Sequence, residues 1–311
     1  MITFADTNVF EYTMKQYNFI LAPLRGYTNK EYRYVLTKNF KYISSCYMPF
    51  FSVTDSIPTK FSKYMGAFTE DELNHNISYQ VVPQIIGNKP ASVAGFCMLL
   101  RDNGFPVINF NLGCPMPQIT KKTRGCGLLP HPDMIRSILD EVFKIDGISF
   151  SVKIRLGLKS KDEILSVIPV LNDYPLDSVT VHPRLSTDRY EGVSDIDTFG
   201  TILPSIKSKV IYNGDIVDNE SLKRITSRFA ELDTFMIGRG LLYKPFLTEE
   251  LQSETDFSYE ERIERFQSFY ADLLEALKGK QNYMSQIKAY WAYFKNLYKD
   301  GEERYKRIVK S

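Results

Sequence analysis

Eight short apolar runs, separated by longer amphipathic stretches, constrain this chain more than any other feature of its sequence. They are Phe19–Pro23, Tyr42–Met48, Gln80–Ile86, Val107–Asn111, Ser149–Ile154, Ser178–His182, Val210–Asn213 and Thr234–Ile237. Runs this short and this rich in β-branched residues read as strands. The stretches between them carry a helical period. From Asp133 to Phe143, for example, Met134, Ile135, Ile138, Leu139 and Val142 fall on one face. Alternating strands and helices make a parallel sheet with crossover helices. Eight such units predict an α/β fold, a (β/α)8 TIM barrel with a small C-terminal α-helical domain. No Gly-x-Gly-x-x-Gly turn follows the first run, so a Rossmann domain has no support.

The pattern changes near Leu247. Ser258 and Glu261 have the spacing of a capping box. Ile263, Phe266, Tyr270, Leu273 and Leu277 then recur at helical intervals, and Ile287, Tyr290, Trp291, Phe294 and Tyr298 predict a second helix. The expected division is a barrel over residues 1–247 and a helical domain over 248–311, with the barrel able to keep its ligand when the tail is removed.

Charge sets the two parts of the tail against each other. Residues 249–275 hold nine acids against Arg262 and Arg265, and residues 278–311 hold nine bases against Asp300, Glu302 and Glu303. A basic segment of that kind either meets a polyanion or is a solvated helix surface. Lys288 and Lys295, seven residues apart, are expected two turns apart on one helix face. The four cysteines form no Cys-x-x-Cys pair, and there are only three histidines. Neither a disulfide framework nor a metal site is expected, and a reducing cytoplasm follows. Met1–Asp6 has no signal-peptide character, and no apolar run is long enough for a membrane span.

In a barrel, chemistry sits at the C-terminal ends of the strands. Here those ends are polar or glycine-rich: Ala22-Pro23-Leu24-Arg25-Gly26, Gln84, Asn111-Leu112-Gly113-Cys114-Pro115, Lys153-Ile154-Arg155, His182-Pro183-Arg184, Asn213-Gly214-Asp215 and Gly238-Arg239-Gly240. Glycines permit close backbone approach. Arg239 offers a fork to a phosphate, and Lys153 places a cation beside a ring that becomes anionic on reduction. These requirements fit FMN. Cys46 and Cys97 lie among apolar neighbours and read as small core residues, as does Cys126. Cys114, between Gly113 and Pro115, is instead presented by a turn, and a thiol with a pKa near neutrality can donate a proton. Lys121, Lys122 and Arg124, just beyond it, can hold a nucleic-acid backbone or be solvated.

Ile108-Asn109-Phe110-Asn111-Leu112-Gly113-Cys114-Pro115, followed by Ile119 and Gly125-Cys126, resembles the signature of tRNA-dihydrouridine synthases. Four further stretches resemble other blocks of that family, in order. They are Ala22-Pro23-Leu24-Arg25-Gly26-Tyr27-Thr28, Val152-Lys153-Ile154-Arg155-Leu156-Gly157, Asn213-Gly214-Asp215-Ile216 and Met236-Ile237-Gly238-Arg239-Gly240. The segment His182–Gly192 matches a middle block, and Ile287–Tyr293 is similar to a helix of the family's RNA-recognition domain. The resemblance implies FMN as cofactor, NADPH as electron donor and a tRNA uridine as substrate, in a protein expected to be a monomer. It implies flavin contacts at Pro23, Leu24, Gln84, Lys153, His182, Asn213, Gly214, Asp215, Gly238 and Arg239. Asn111 and Tyr190 match residues that hold the uracil, Arg184 is expected beside them, and Cys114 matches the catalytic acid. Lys121, Lys122, Arg124, Lys288 and Lys295 are the expected phosphate contacts. The chain departs from the family at Asn29 and Gln118, and in Cys46-Tyr47-Met48-Pro49, which lacks the usual acid. A flavin barrel acting on free pyrimidines, or a non-catalytic RNA binder, stays open as an alternative.

Overall fold

The computed structural model describes residues 15–54, 56 and 59–310. The reading of Met1–Asp6 lies outside them. All eight apolar runs form strands. In chain order the strands are β1 (Asn18–Leu21), β2 (Ile43–Tyr47), the two-residue β3 (Phe51–Ser52), β4 (Gln80–Val82), β5 (Gln84–Ile86), β6 (Val107–Leu112), β7 (Ser149–Gly157), β8 (Ser178–Leu185), β9 (Lys209–Tyr212) and β10 (Thr234–Ile237). Every pairing is parallel, in the order β3-β5-β6-β7-β8-β9-β10-β1-β2-β4. The third apolar run is split at Pro83, which has no N–H for a ladder. Its first half pairs with β2 (Ser45↔Gln80) and its second with β6 (Gln84↔Asn109). On either side of the split, Met48 N donates to Val82 O at 2.9 Å and Asn109 N to Pro83 O at 3.0 Å. The sheet is therefore curled, and the fold is α/β and TIM-barrel-like.

Alternation along the strands separates two layers. Phe19 and Leu21 point outward into the main core, with Ile108, Phe110, Val152 and Ile154. The crossover helices supply the other half of that core. Helix Pro132–Val142 buries Ile135, Ile138, Leu139 and Val142, the face its period predicts. Inside the curl, Ile20, Ala22, Tyr47, Val82, Ile211 and Met236 form a small apolar cluster. The rest of the interior is polar: Gln84, Asn109, Asn111, Ser151, Thr180 and His182 are all buried.

Three helices follow: Tyr259–Leu277, Tyr283–Phe294 and Gly301–Lys310. The first begins at the expected Ser258/Glu261 capping box. The second stops at Phe294, and Lys295 opens a 3-10 turn, so Lys288 and Lys295 do not share one helix. The outer core runs without a break into these helices. Phe266, Phe269, Leu273, Tyr290 and Phe294 are fully buried. Tyr32, on helix Lys30–Asn39, packs between Phe269 at 5.7 Å and Tyr290 at 5.3 Å. Buried Glu250 accepts hydrogen bonds from Arg262 Nε at 2.8 Å, Phe257 N at 3.0 Å and Lys244 Nζ at 3.2 Å. The sheet and the tail helices thus share one continuous outer core. Among the described residues, no helix is long and apolar enough to cross a membrane.

Candidate active site

The polar strand ends converge on a cavity of about 880 Å³, open at one end of the curled sheet. That volume suits a small-molecule ligand. Most residues singled out from the sequence line it: Pro23, Leu24, Asn111, Cys114, Lys153, His182, Arg184, Tyr190, Asn213, Gly214, Asp215, Gly238 and Arg239. Gln84 does not. It lies one layer deeper, fully buried, with its carboxamide bonded to Asn109 and Asn111 at 2.7 Å each. Lys121 and Lys122 are exposed, away from the cavity wall. Arg124 is half-buried, its Nε 3.4 Å from Asn88 Oδ1. Lys288 is half-buried on the second tail helix, and Lys295 is ion-paired with Glu302 at 2.6 Å.

Cys114 sits in a turn held from three sides. Asn111 Oδ1 accepts from Cys114 N at 2.8 Å and from Gly113 N at 3.0 Å, and Cys126 N donates to Cys114 O at 3.2 Å. The third side needs glycine. Gly125 has φ +57°, and a Cβ there would lie 2.9 Å from Cys114 O. Burial pushes the thiol above its usual pKa, and the Met116 N–H, Arg155, Arg25 and Lys153 counter this only in part. The expectation of a pKa near neutrality is thus corrected: at neutral pH the group is a thiol carrying its proton. Cys46, Cys97 and Cys126 are fully buried, as their bland reading required.

On the facing strands the cations are unevenly satisfied. Burial, reinforced by neighbouring Arg155, brings Lys153 down to about 7. No carboxylate among the described residues pairs with Lys153 or Arg155. Burial and the surrounding cations, Arg155 first, hold His182 well below its usual range, so the ring is neutral. Arg184 Nη1 lies 2.9 Å from His182 Nε2. A guanidinium only donates, so Nε2 accepts and the ring proton is on Nδ1.

Arg184 is less available than the sequence implied. Its Nε donates to Glu191 O (3.3 Å), Nη1 to His182 and Ser194 Oγ (3.1 Å), and Nη2 to Gly192 O (2.8 Å) and Asp215 Oδ2 (2.6 Å). All five N–H groups of a guanidinium are thereby engaged. Asp215 also accepts from Ser194 N and Oγ and from Arg239 Nη2 at 3.2 Å. Burial raises its pKa, but Arg184 outweighs this and keeps the carboxyl below its usual range. The glycines meet protein atoms as well. A Cβ on Gly214 would meet Ser194 Oγ at 2.4 Å, and one on Gly240 would meet Ile216 O at 2.2 Å. These two glycines admit neighbouring protein atoms. A Cβ on Gly238 would find ordinary contact distances to Ala22 and Leu24, and all three glycines line the cavity.

Several lining residues were given no role of their own in the sequence reading. Arg155 is 1% exposed, and its guanidinium lies 5.4 Å from the centre of the Tyr190 ring, with that of Arg239 at 5.3 Å. The strand period carried that signal, since Lys153 and Arg155 share a face. Arg25 sits over Phe50 at 5.5 Å on the rim. Tyr293 comes from the tail and packs edge-on against Tyr27 at 5.1 Å. Tyr290 Oη donates to Tyr27 O at 2.5 Å, tying the tail to the turn after β1. No local pattern announces that contact.

The dihydrouridine synthase (Dus) family model matches residues 20–310. The chain is similar to tRNA-dihydrouridine synthase B of Vibrio cholerae, 26% identical over 237 residues, which is 76% of this chain and 71% of the relative. It is similar to the protein of that name in Pasteurella multocida, 26% identical over 235 residues, covering 75% and 68%. Among solved structures, morphinone reductase superposes with a TM-score of 0.54 at 10% identity, covering 78% of this chain and 87% of the other. At that identity the likeness shows the fold alone.

Proposed function

This chain belongs to the dihydrouridine synthase family, and on that premise we propose that it reduces the 5,6-double bond of a tRNA D-loop uridine to dihydrouridine, with FMN as cofactor and NADPH as electron donor. The observation that carries the reading is the meeting of a protonated thiol, Cys114, with two carboxylate-free cations, Lys153 and Arg155, on one cavity. We also read the curled sheet as a closed (β/α)8 barrel. Its support is that the two halves of Gln80–Ile86 pair with opposite flanks of the sheet. The barrel and the helices after residue 247 would then be the catalytic and tRNA-recognition parts of a monomeric protein.

The donor set fits FMN. Pro23 and Leu24 offer an apolar wall, Asn213 and Gly238 offer polar groups at the mouth, and Lys153, His182 and Arg239 line the same cavity. When bound, the flavin supplies hydride transfer, which no side chain here can perform. The protein supplies orientation, charge and a proton. Lys153, with its pKa near 7, takes up a proton when negative charge is placed beside it. Neutral His182, fixed as the Nδ1 tautomer by Arg184, adds a dipole without repelling the other cations. Asp215 anchors Arg184 and steers Arg239.

Asn111 has one amide N–H left after bonding to Gln84, and it can meet a uracil carbonyl. Tyr190, close to Arg155 and Arg239, offers a ring face. Cys114 holds the proton it would give to one carbon of the double bond, the bound flavin supplying the hydride chemistry for the other. The thiolate left behind regains a proton from solvent, which balances the step. A base stacked in folded RNA must be flipped out to reach this depth, at a cost of a few kcal/mol. Contacts from Lys121, Lys122, Arg124 and Lys288 to phosphates offset that cost.

The test is direct. Protein, FMN, NADPH and an unmodified tRNA transcript are incubated, and dihydrouridine is measured by nucleoside mass spectrometry. Dihydrouridine in the tRNA supports the reading. Reduction of free uracil or uridine with unchanged tRNA would replace it with a free-pyrimidine enzyme, and flavin-free, colourless protein would remove the cofactor.

A further inference from the structure

One half of the barrel interior is filled by Ile20, Val82, Ile211 and Met236, so apolar packing is sufficient there. The other half holds an unbroken chain of buried polar groups. Ser151 Oγ accepts from Asn109 Nδ2 at 2.9 Å, and Asn109 Oδ1 accepts from Gln84 Nε2 at 2.7 Å. Gln84 Oε1 accepts from Asn111 Nδ2 at 2.7 Å. The chain ends on the backbone N–H groups of Gly113 and Cys114, which donate to Asn111 Oδ1. Ser151, Asn109 and Gln84 are each no more than 1% exposed.

The direction of this chain is forced. Backbone N–H groups can only donate, so Asn111 must present its oxygen to them and its NH₂ to Gln84. Gln84 must then turn its oxygen to Asn111 and its NH₂ to Asn109. Asn109 must in turn direct its NH₂ to Ser151. Reversing any amide puts two acceptors or two donors face to face in a buried site and leaves both unsatisfied. The amides therefore lock one another, and the lock terminates on the turn that carries Cys114. A buried polar network adds little net stability over well-packed apolar residues. Its distinctive property is geometric: it allows one orientation.

We propose that Asn109 and Ser151 are positioning residues for Cys114, acting through Gln84 and Asn111 from beneath the cavity. The inference rests on the proposed uridine reduction for its rate effect. The thiol geometry stands independently of it. Neither residue lines the cavity, so neither touches substrate or cofactor. Their effect falls on proton delivery, with binding left intact.

The experiment compares the full-length protein with Asn109→Leu, Asn109→Asp and Ser151→Ala. Leucine keeps the number and branching of the side-chain heavy atoms and cuts the chain. Aspartic acid, kept protonated by burial, accepts from Gln84 and donates to Ser151, so it restores the chain. Ser151→Ala removes the last link, together with the 3.4 Å bond from Ser151 Oγ to Ile108 O, and is the milder test should the leucine variant fail to fold. Three quantities are read: tRNA uridine reduction at saturating substrate, flavin reduction by NADPH, and the rate of Cys114 alkylation by iodoacetamide, followed by peptide mass spectrometry. Displacing a reacting group by about 1 Å costs on the order of 100-fold in rate. Asn109→Leu is expected to lower kcat by that order, leave KM for tRNA and flavin reduction within about twofold, and change Cys114 alkylation at least about fivefold. Ser151→Ala moves kcat and alkylation in the same direction by less, and Asn109→Asp recovers both. Unchanged kcat and alkylation in both Asn109→Leu and Ser151→Ala overturn the proposal. So does a parallel loss of flavin reduction, which would mark a general structural role. If the wild-type protein forms no dihydrouridine, the functional reading fails, while the alkylation rates still decide whether the chain positions the thiol.

Discussion

At the cavity, Lys153 and Arg155 sit in protein-lined space with no carboxylate partner among the described residues. Around the C-terminal helices several bases are already matched: Lys295 with Glu302 at 2.6 Å, Arg304 with Asp300 at 2.7 Å and Lys280 with Glu31 at 2.7 Å. On the first of these helices, Arg265 pairs with Glu249 at 2.6 Å. By composition the tail is the basic region and the barrel is ordinary. By structure the cavity holds cations buried without a carboxylate, whereas part of the tail's charge is neutralised by its neighbours. A count of bases measures a segment's sign. It does not measure what a ligand can use, because an exposed ion pair already satisfies its cation.

The two regions also differ in how far they can be separated. The largest expected effect comes from cutting them apart. Removal of residues 259–310 strips Phe266, Phe269, Tyr290 and Phe294 from a core shared with Tyr32 and Phe40. The truncated chain is expected to lose its cooperative thermal transition in circular dichroism. A truncated barrel that still melts cooperatively and binds FMN would break the comparison, making the tail a separable module.

Next in size is the thiol. Cys114→Ala should lower uridine reduction by about 10²–10⁴-fold, the usual worth of a placed general acid. FMN content and NADPH oxidation should be unchanged, since the proton is needed only at carbon. Equal turnover by mutant and wild type would take Cys114 out of the chemistry.

Lys153 gives a smaller effect with a definite pH signature. The folded protein without ligand holds this proton below about pH 7 and releases it above. FMN affinity is therefore expected to fall as pH rises through 7, and Lys153→Met should weaken binding by about tenfold and flatten the profile. Stability has its own window. From about 7 up to the ordinary 10.5, the unfolded chain binds the proton that the folded chain has lost. In that window this group's contribution to stability grows with pH. Titration calorimetry and pH-dependent melting read the two effects separately, and a pH-independent affinity would contradict the placement of Lys153 at the ligand.

The smallest effects sharpen the contrast within the tail. Lys288 is unpaired among the described residues, and Lys295 is paired. Lys288→Ala should reduce the salt dependence of tRNA binding by about one unit of slope, and Lys295→Ala should leave it unchanged. Equal changes in both would mean that the Glu302 pair opens readily to RNA.

What the sequence determined by itself is what short-range periodicity can carry. All eight strands, the buried face of helix Pro132–Val142, the Ser258 cap and the strand-end location of the site follow from patterns a few residues long. Backbone geometry makes those periods local properties. Cys114 was legible for the same reason, since a turn between Gly113 and Pro115 presents its side chain wherever the strand is placed. Tertiary structure decided which polar groups are free. Arg184 and Asp215 look equally available in the sequence, yet they close on each other across 31 residues. Gln84 reads as a strand-end ligand, but it lies beneath the floor, holding Asn111. Tyr293 reaches the cavity from a helix that no strand pattern could place there. The fall of Lys153 to about 7 arises from burial beside Arg155, two positions along the same strand face. A hydrogen bond or an ion pair depends on the meeting of two specific groups in space. For groups brought together by different strands, that meeting is fixed only when the sheet has curled.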